Sequence, residues 1–409
     1  MLLVQKYLET HTFGELAKEH GVYASFSQSG HKFSLNYDQI EAQESDSLAQ
    51  ECRGLVLSLE DGRPVFGIQG PDGKLNRDSI EPGKTRILAY PMRRFFNHGQ
   101  GAAASIDWSD PNLSVLEKLD GTLCIVYYDP FTAQWCVATR SVPEADLIID
   151  MGHYTFRTLF EKAVMDTLGY SFDVFTRGLV NEMTYCFELT TPYNRIVVQY
   201  NECRMTLLAA RYLPTLQECN PAELAIVQVG KIPHVHTYTY TSVDDILNWV
   251  SNQNPLEHEG VVVRDAQYNR IKVKNAAYVA FNRARDVLSA SDRNVLDLIL
   301  QEKDDDVIPM LPPEIVENLR KIKEGVQNLI KEYDAIYHTV VAAASAIKPG
   351  DKKTFAITLT QRKELWSAPF FQIYDGKADN MKDYIQKNRG KDGHWSNSFL
   401  DRILDLVKS

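Results

Sequence analysis

Two periodicities divide this chain, and they call for different architectures. Up to about residue 282 the apolar residues come in short runs rich in Val, Ile and Tyr: TLCIVYYD, WCVATR, YCFELT, RIVVQY, MTLLAARY, EGVVVRD and RIKVKN. Turn residues bound these runs, and their length and composition suit half-buried strands. Further on, Ile315, Leu319, Ile322, Val326, Leu329, Tyr333, Ile336 and Val340 recur at steps of three and four, one apolar stripe along a long helix. That helix starts at Pro312-Pro313 and stops at Pro349-Gly350. KKTFAITLTQRKELW and SFLDRILDLVKS also read as helical. The expected fold class is α+β, with antiparallel sheets and flanking helices over residues 1–282 and an all-helical domain over 283–409.

Local signals refine the first part. Asp61-Gly62 in ECRGLVLSLEDGRPVFG predicts a strand–turn–strand hairpin, and Asp129-Pro130 predicts another between TLCIVYYD and WCVATR. TFRTLFEKAVMDTLGY has helical apolar spacing with Gly169 near its end. SVDDILNWVSNQ opens with Ser242 and, three residues on, Asp245, a capping pattern.

Composition bounds the class. The chain is 44% hydrophobic and 24% charged, ordinary for a globular protein. No apolar run reaches the ~18 residues of a membrane span. MLLVQKYLETHTFGELAKEHG reads as an amphipathic helix rather than a signal peptide, so the cytoplasm is expected. The six cysteines form no C-x-x-C pair, and those in strand-like runs read as reduced core residues. His234 and His236 would share a strand face, but no third ligand is near in sequence, so they read as surface residues. Net charge is −10, which argues against a general nucleic-acid coat but leaves room for a local basic groove.

The chemistry-bearing pattern starts at EKLDGTLCIVYYD, where Lys118 stands beside Asp120 and Gly121 at the mouth of an apolar strand. Upstream lie ECRG with Arg53 and YPMRRFFN with Arg94 and Phe96. Downstream lie FELTTPYNRIV with Glu188, EGVVVR with Glu259 and IKVKNAAY with Lys272 and Lys274. A lysine attacks phosphorus only as the free amine, so its pKa must fall well below ~10.4. The cations nearby are expected to lower it, helped by partial desolvation. Lys272 and Lys274 alternate on one strand and so project to the same face, where they can hold a phosphate.

In this order the elements resemble the covalent nucleotidyltransferases, the superfamily of polynucleotide ligases and capping enzymes. The closest likeness is to the RNA ligase 1 group, the tRNA-repair type of T-even bacteriophages. It covers residues 35 to 280, and few residues of the helical tail match. The resemblance implies a nucleotidyltransferase (adenylyltransferase) domain, then a helical RNA-specificity domain. It also implies an ATP-dependent RNA ligase acting in tRNA or RNA repair. Lys118 would attack ATP at the α-phosphate and carry AMP, the AMP would pass to an RNA 5′-phosphate, and a 3′-hydroxyl would displace it.

The same resemblance assigns roles. Glu188 matches the acid that accepts from the ribose hydroxyls, and Glu259 the acid near the metal and nucleotide. Gly260 leaves room beside Glu259, Val262 packs on the adenine face, and Gly121 lets the backbone approach the ribose. Arg53 matches the arginine that orients the triphosphate or the RNA 5′-phosphate, for which a guanidinium fork is suited. Tyr37 and Phe96 match nucleotide-site aromatics. Arg94 stands where the family has the lysine before FFN that contacts the β- and γ-phosphates, Arg140 stands for a basic residue after the family's hairpin, and both are expected to bind ATP. Mg2+, with Mn2+ as the alternate, is implied by the polyanionic ATP. Glu259 and the run Asp304, Asp305 and Asp306 are its candidate ligands. In the tail, which holds about 20 residues of each charge, Lys382, Lys387 and Arg389 are candidate RNA contacts, with Tyr384 and Trp395 as stacking partners.

The implied substrate is single-stranded RNA or a broken tRNA, with a polynucleotide kinase-phosphatase healing its ends. A monomer is expected, in the host cytoplasm if the source is viral. The alternatives are a DNA ligase, a capping guanylyltransferase or a non-catalytic RNA-binding protein on the same fold. The first two usually carry an OB-fold after the K-x-K strand, and this sequence is helical there.

Overall fold

The computed structural model describes residues 1–38, 41–65, 83–149, 153–240, 242–301, 311, 313–362, 366–390 and 395–408. The fold is mixed α+β, with antiparallel sheets and many helices. The chain divides into two compact units, Met1–Val279 and Ala280–Ser409.

The first unit opens with two short helices, Leu3–Leu8 and Phe13–His20, where the sequence pattern suggested one. Thr12 is the reason for the break: its side chain accepts from the Glu15 amide while Glu15 caps the Thr12 amide, which starts a new helix. An antiparallel sheet follows, in the order β1 (Val22–Phe26), β2 (Phe33–Tyr37), β3 (Arg53–Leu59) and β4 (Thr85–Ala89). Phe13, Phe33, Leu35 and Leu57 lie in its core. β3 does turn at Asp61-Gly62, but its antiparallel partners are Phe33–Tyr37 and Thr85–Ala89. Arg63–Val65 forms no strand, and the rest of the expected hairpin partner, Phe66 and Gly67, lies outside the described residues.

Besides a two-stranded sheet of Ile148–Ile149 with Tyr154–Thr155, two five-stranded sheets follow in this unit. Their strands are β5 (Phe96–Asn97), β6 (Ser114–Glu117), β7 (Thr122–Asp129), β8 (Gln134–Thr139), β9 (Met183–Thr190), β10 (Arg204–Tyr212), β11 (Gln217–Cys219), β12 (Thr237–Tyr238), β13 (Gly260–Arg264) and β14 (Arg270–Lys274). One sheet runs β11-β10-β9-β7-β8 and the other β12-β6-β13-β14-β5. All their pairings are antiparallel except β14 with β5. The helix Phe156–Leu168, closed by Gly169 at φ 78°, packs Phe160 5.5 Å from Phe187 of β9. The helix Val243–Ser251 is capped by Ser242, which accepts from the Asp245 amide.

The crossing from one sheet to the other is Lys118–Gly121, since β6 ends at Glu117 and β7 begins at Thr122. RIVVQY is not a strand. The amides of Val197 and Val198 donate to Asp120 Oδ2, both at 2.8 Å, so a side chain takes bonds a ladder would have used.

The second unit is helical. The Pro313–Ile347 helix buries Leu319, Ile322, Val326, Leu329, Tyr333 and Val340 against helices that include Lys352–Thr360, Ala368–Tyr374, Met381–Lys387 and Asn397–Lys408. All six cysteines are free, five of them buried. Among the described residues no helix is long and apolar enough to cross a membrane.

Candidate active site

Lys118 leaves β6 with its amide donating to Gly260 O at 3.0 Å, which extends the β6–β13 ladder by one bond. This fixes the start of its side chain. Its Nζ lies 2.6 Å from Glu259 Oε2, and Lys274 Nζ lies 2.8 Å from Glu259 Oε1. Glu259 is 4% exposed and Lys118 21%. Gly260, at φ 143°, must be glycine: an added Cβ would stand 2.1 Å from Val273 O on β14. The same reason holds at Gly121, where a Cβ would meet Leu189 O at 2.4 Å. Its amide donates to Glu188 Oε1 at 3.0 Å.

Arg53, Glu188 and Val262 line one cavity with Lys118 and Phe95, and Leu116, Leu208 and Val235 supply apolar wall. The cavity measures about 70 Å3, below the roughly 300 Å3 of an ordinary ligand pocket. Arg53 Nη1 is buried with no hydrogen-bond partner, a donor aimed at an acceptor the protein does not supply. Its guanidinium lies 5.3 Å from the Phe95 ring, and Lys272 Nζ lies 4.7 Å from the same ring.

The electrostatics correct one expectation. Burial pulls the Lys118 pKa down, but the carboxylates of Glu259, Glu188 and Asp120 act against it and the net direction is up. The cations therefore do not hold Lys118 neutral, because Glu259 is its nearest charge. The depressed lysine is Lys272, brought down to about 7 by burial and by Arg53, Lys118 and Lys274. Glu188 is pushed up to about 7, chiefly by burial and with Glu259 adding to it, against Lys118 and Arg53.

Against this geometry the comparisons with known proteins decide the family. A family model described as RNA ligase matches residues 51–278, more than half the chain. The chain belongs to the RNA ligase family. The RNA ligase of Rhodothermus phage RM378 is 25% identical over 366 residues, covering 74% of this chain and 80% of that protein. A protein of Autographa californica nuclear polyhedrosis virus, described as a bifunctional polynucleotide kinase/RNA ligase, is 25% identical over 295 residues. That match covers 68% of this chain and 37% of the viral protein. Among solved structures, an archaeal ATP-dependent RNA ligase aligns at 14% identity and TM-score 0.41, covering 97% of this chain and 94% of the other.

Several residues singled out in the sequence of this RNA ligase do not line the cavity. Tyr37 is buried under Arg94, whose guanidinium lies 4.2 Å from its ring and 5.1 Å from that of Phe96. Phe96 is itself buried, paired with Ile271, so Phe95 is the ring that faces the cavity. Arg140 reaches Arg53 by charge: burial and Arg140 lower the Arg53 pKa while Tyr37 raises it.

Among the described residues no three His, Cys, Asp or Glu side chains gather to hold a metal. His234 and His236 are exposed, and Asp304, Asp305 and Asp306 lie outside the described residues. In the second unit Lys382, Lys387 and Arg389 are exposed, with Lys387 2.8 Å from Asp383. Tyr384 and Trp395 are core residues, 7% and 4% exposed, and Trp395 Nε1 donates to Ile385 O. Burial in the core removes both rings as stacking platforms for a base.

Two residues that carry the site had no assigned role in the sequence reading. Asp120 is buried and accepts from Tyr278 Oη at 2.6 Å, as well as from the Val197 and Val198 amides. It thereby ties the Lys118 crossing to the helix that follows β14. Both residues sat inside quoted motifs, K-x-D-G and IKVKNAAY, but their pairing across 158 positions has no local signature.

Proposed function

We propose that this RNA ligase uses ATP to join a 5′-phosphate to a 3′-hydroxyl through Lys118–AMP and an RNA-adenylate. The observation that carries the reading is the convergence on Lys118 Nζ: Glu259 at 2.6 Å, Lys274 sharing that carboxylate, and Arg53 with an unpartnered buried nitrogen in the same cavity. Apolar wall from Val262 and Leu116 suits a base, and Glu188 is the carboxylate in place for the ribose hydroxyls. The cavity is small, so a nucleotide enters by moving Phe95 or parting Lys118 from Glu259.

In the first step Lys118 Nζ forms a bond to the α-phosphorus as the bond to pyrophosphate breaks. The ammonium must first lose a proton, and Glu259 is the hydrogen-bonded base within reach. Lys272, Lys274 and Arg53 hold the phosphate oxygens as charge develops. An RNA 5′-phosphate oxygen next takes the phosphorus from nitrogen, and a 3′-oxygen then attacks the activated RNA phosphorus as AMP departs. Mg2+, when bound, would neutralise phosphate charge, and Glu259 would be its carboxylate ligand.

RNA strands ending in 5′-phosphate and 3′-hydroxyl, including a tRNA broken in its anticodon loop, are the proposed substrates. A kinase-phosphatase would supply such ends, and the description of the baculovirus relative as a kinase/ligase supports that pairing. The helical residues 283–409 are proposed to select the RNA. Purified protein with α-labelled ATP and Mg2+ should gain the mass of one AMP on the peptide containing Lys118. Lys118→Ala should take none, and an unlabelled wild type would overturn the reading.

A further inference from the structure

Beside the reaction centre lies a larger groove of about 690 Å3, whose lining includes Gln50, Arg93, Arg94, Arg211, Glu218 and Arg270. Phe95 and Arg270 line both this groove and the Lys118 cavity, so the two adjoin. Arg270, Lys272 and Lys274 occupy alternate positions of β14 and project to one face. At ~3.3 Å per residue the row runs ~13 Å, from the Glu259 pair to the groove.

Two of the guanidiniums, those of Arg211 and Arg270, are held in place. Glu218, 6% exposed, pairs with Arg211 at 3.0 Å and also with Arg270. Arg211 is fixed further by Leu216 O at 2.6 Å and stacks 4.4 Å from the Tyr90 ring. Four arginines thus face one carboxylate, in a chain whose net charge is −10. Such a concentration of guanidinium forks suits phosphates strung along a strand.

We propose that this groove receives the 5′-phosphorylated RNA strand. Arg270 holds the terminal phosphate at the edge of the Lys118 cavity, and Arg93 and Arg211 carry the phosphates that follow. This rests on the ligase reading above and adds where the donor strand lies.

The test is direct binding of one oligoribonucleotide, with a 5′-phosphate or a 5′-hydroxyl, to the full chain without ATP. Fluorescence anisotropy at several salt concentrations gives the affinities. The wild type should prefer the phosphorylated strand. Arg93→Ala removes an exposed cation and should weaken binding about tenfold, with the salt slope falling by ~0.7. Arg270→Lys keeps the charge and the Glu218 pair, so the salt slope should hold while the preference for the 5′-phosphate disappears. Equal binding of the two RNAs by the wild type, or wild-type binding by both variants, would overturn the proposal. So would unchanged RNA binding with a raised ATP requirement for Lys118 labelling, which would give the groove to the triphosphate tail. Since the binding readout needs no ATP, failure of Lys118 labelling would count against the ligation chemistry alone.

Discussion

Glu188→Gln should make the first unit more stable at alkaline pH while removing a carboxylate the proposed site needs. Glu188 has a folded-state pKa of about 7 against an ordinary 4.5. A gap of about 2.5 corresponds to ~3.4 kcal/mol, an upper figure for the cost of ionising Glu188 in the folded protein. Because the folded pKa is the higher one, the folded state binds the proton more tightly. Stability from this group is complete below pH ~4.5, falls as pH rises toward ~7, and is lost at pH 8. Glutamine stays neutral throughout and can still accept from the Gly121 amide through Oε1. The variant should therefore match the wild type near pH 4.5 and exceed it by ~2–3 kcal/mol at pH 8. Hydrogen exchange in the Met183–Thr190 strand of the full chain, corrected for intrinsic rates, reads this locally. Protection should rise by one to two orders of magnitude at pH 8 and stay level at the acid end. Equal gains at both pH values, or faster exchange at pH 8, would refute the reasoning. Lys118 labelling should fall in the same variant, since a functional site keeps a group that stability alone would discard.

Two other substitutions probe the scaffold and the register of the nucleophile. Lys32 Nζ lies 3.0 Å from Asp129 and 3.1 Å from Glu144, with Lys32 and Asp129 only 4% and 2% exposed. Asp129→Asn should cost about 3–5 kcal/mol by stranding that ammonium, and a loss below about 1 kcal/mol in urea titration would show that Glu144 compensates. Gly260→Ala should add ~1–3 kcal/mol of strain and displace the carbonyl that fixes the Lys118 amide. A misplacement of ~1 Å should lower the rate of AMP labelling about 100-fold, and a rate within tenfold of wild type would mean the turn relaxes harmlessly.

Much of the fold was legible because it depends on local rules. Strand alternation puts Lys272 and Lys274 on one face, and steps of three and four mark the Pro313–Ile347 helix. A glycine such as Gly169 ends a helix whatever lies around it. The misreadings share a cause. RIVVQY has the composition of a strand, yet Asp120 takes two of its amides, and Asp120 is 77 and 78 residues away. Phe95 and Phe96 are neighbours in sequence, and only the pairing of Phe96 with Ile271 decides which of them is buried.

By itself the sequence determined which side chains are available for the chemistry and which local elements present them, since composition and periodicity act over a few residues. Only the tertiary structure decided the charge state of Lys118, because that depends on Glu259, 141 positions away, lying at 2.6 Å. The same holds for the groove, where Glu218 gathers Arg211 from one sheet and Arg270 from the other. Coulombic and desolvation effects follow distance in space, and distance in space is set only when the sheets have packed.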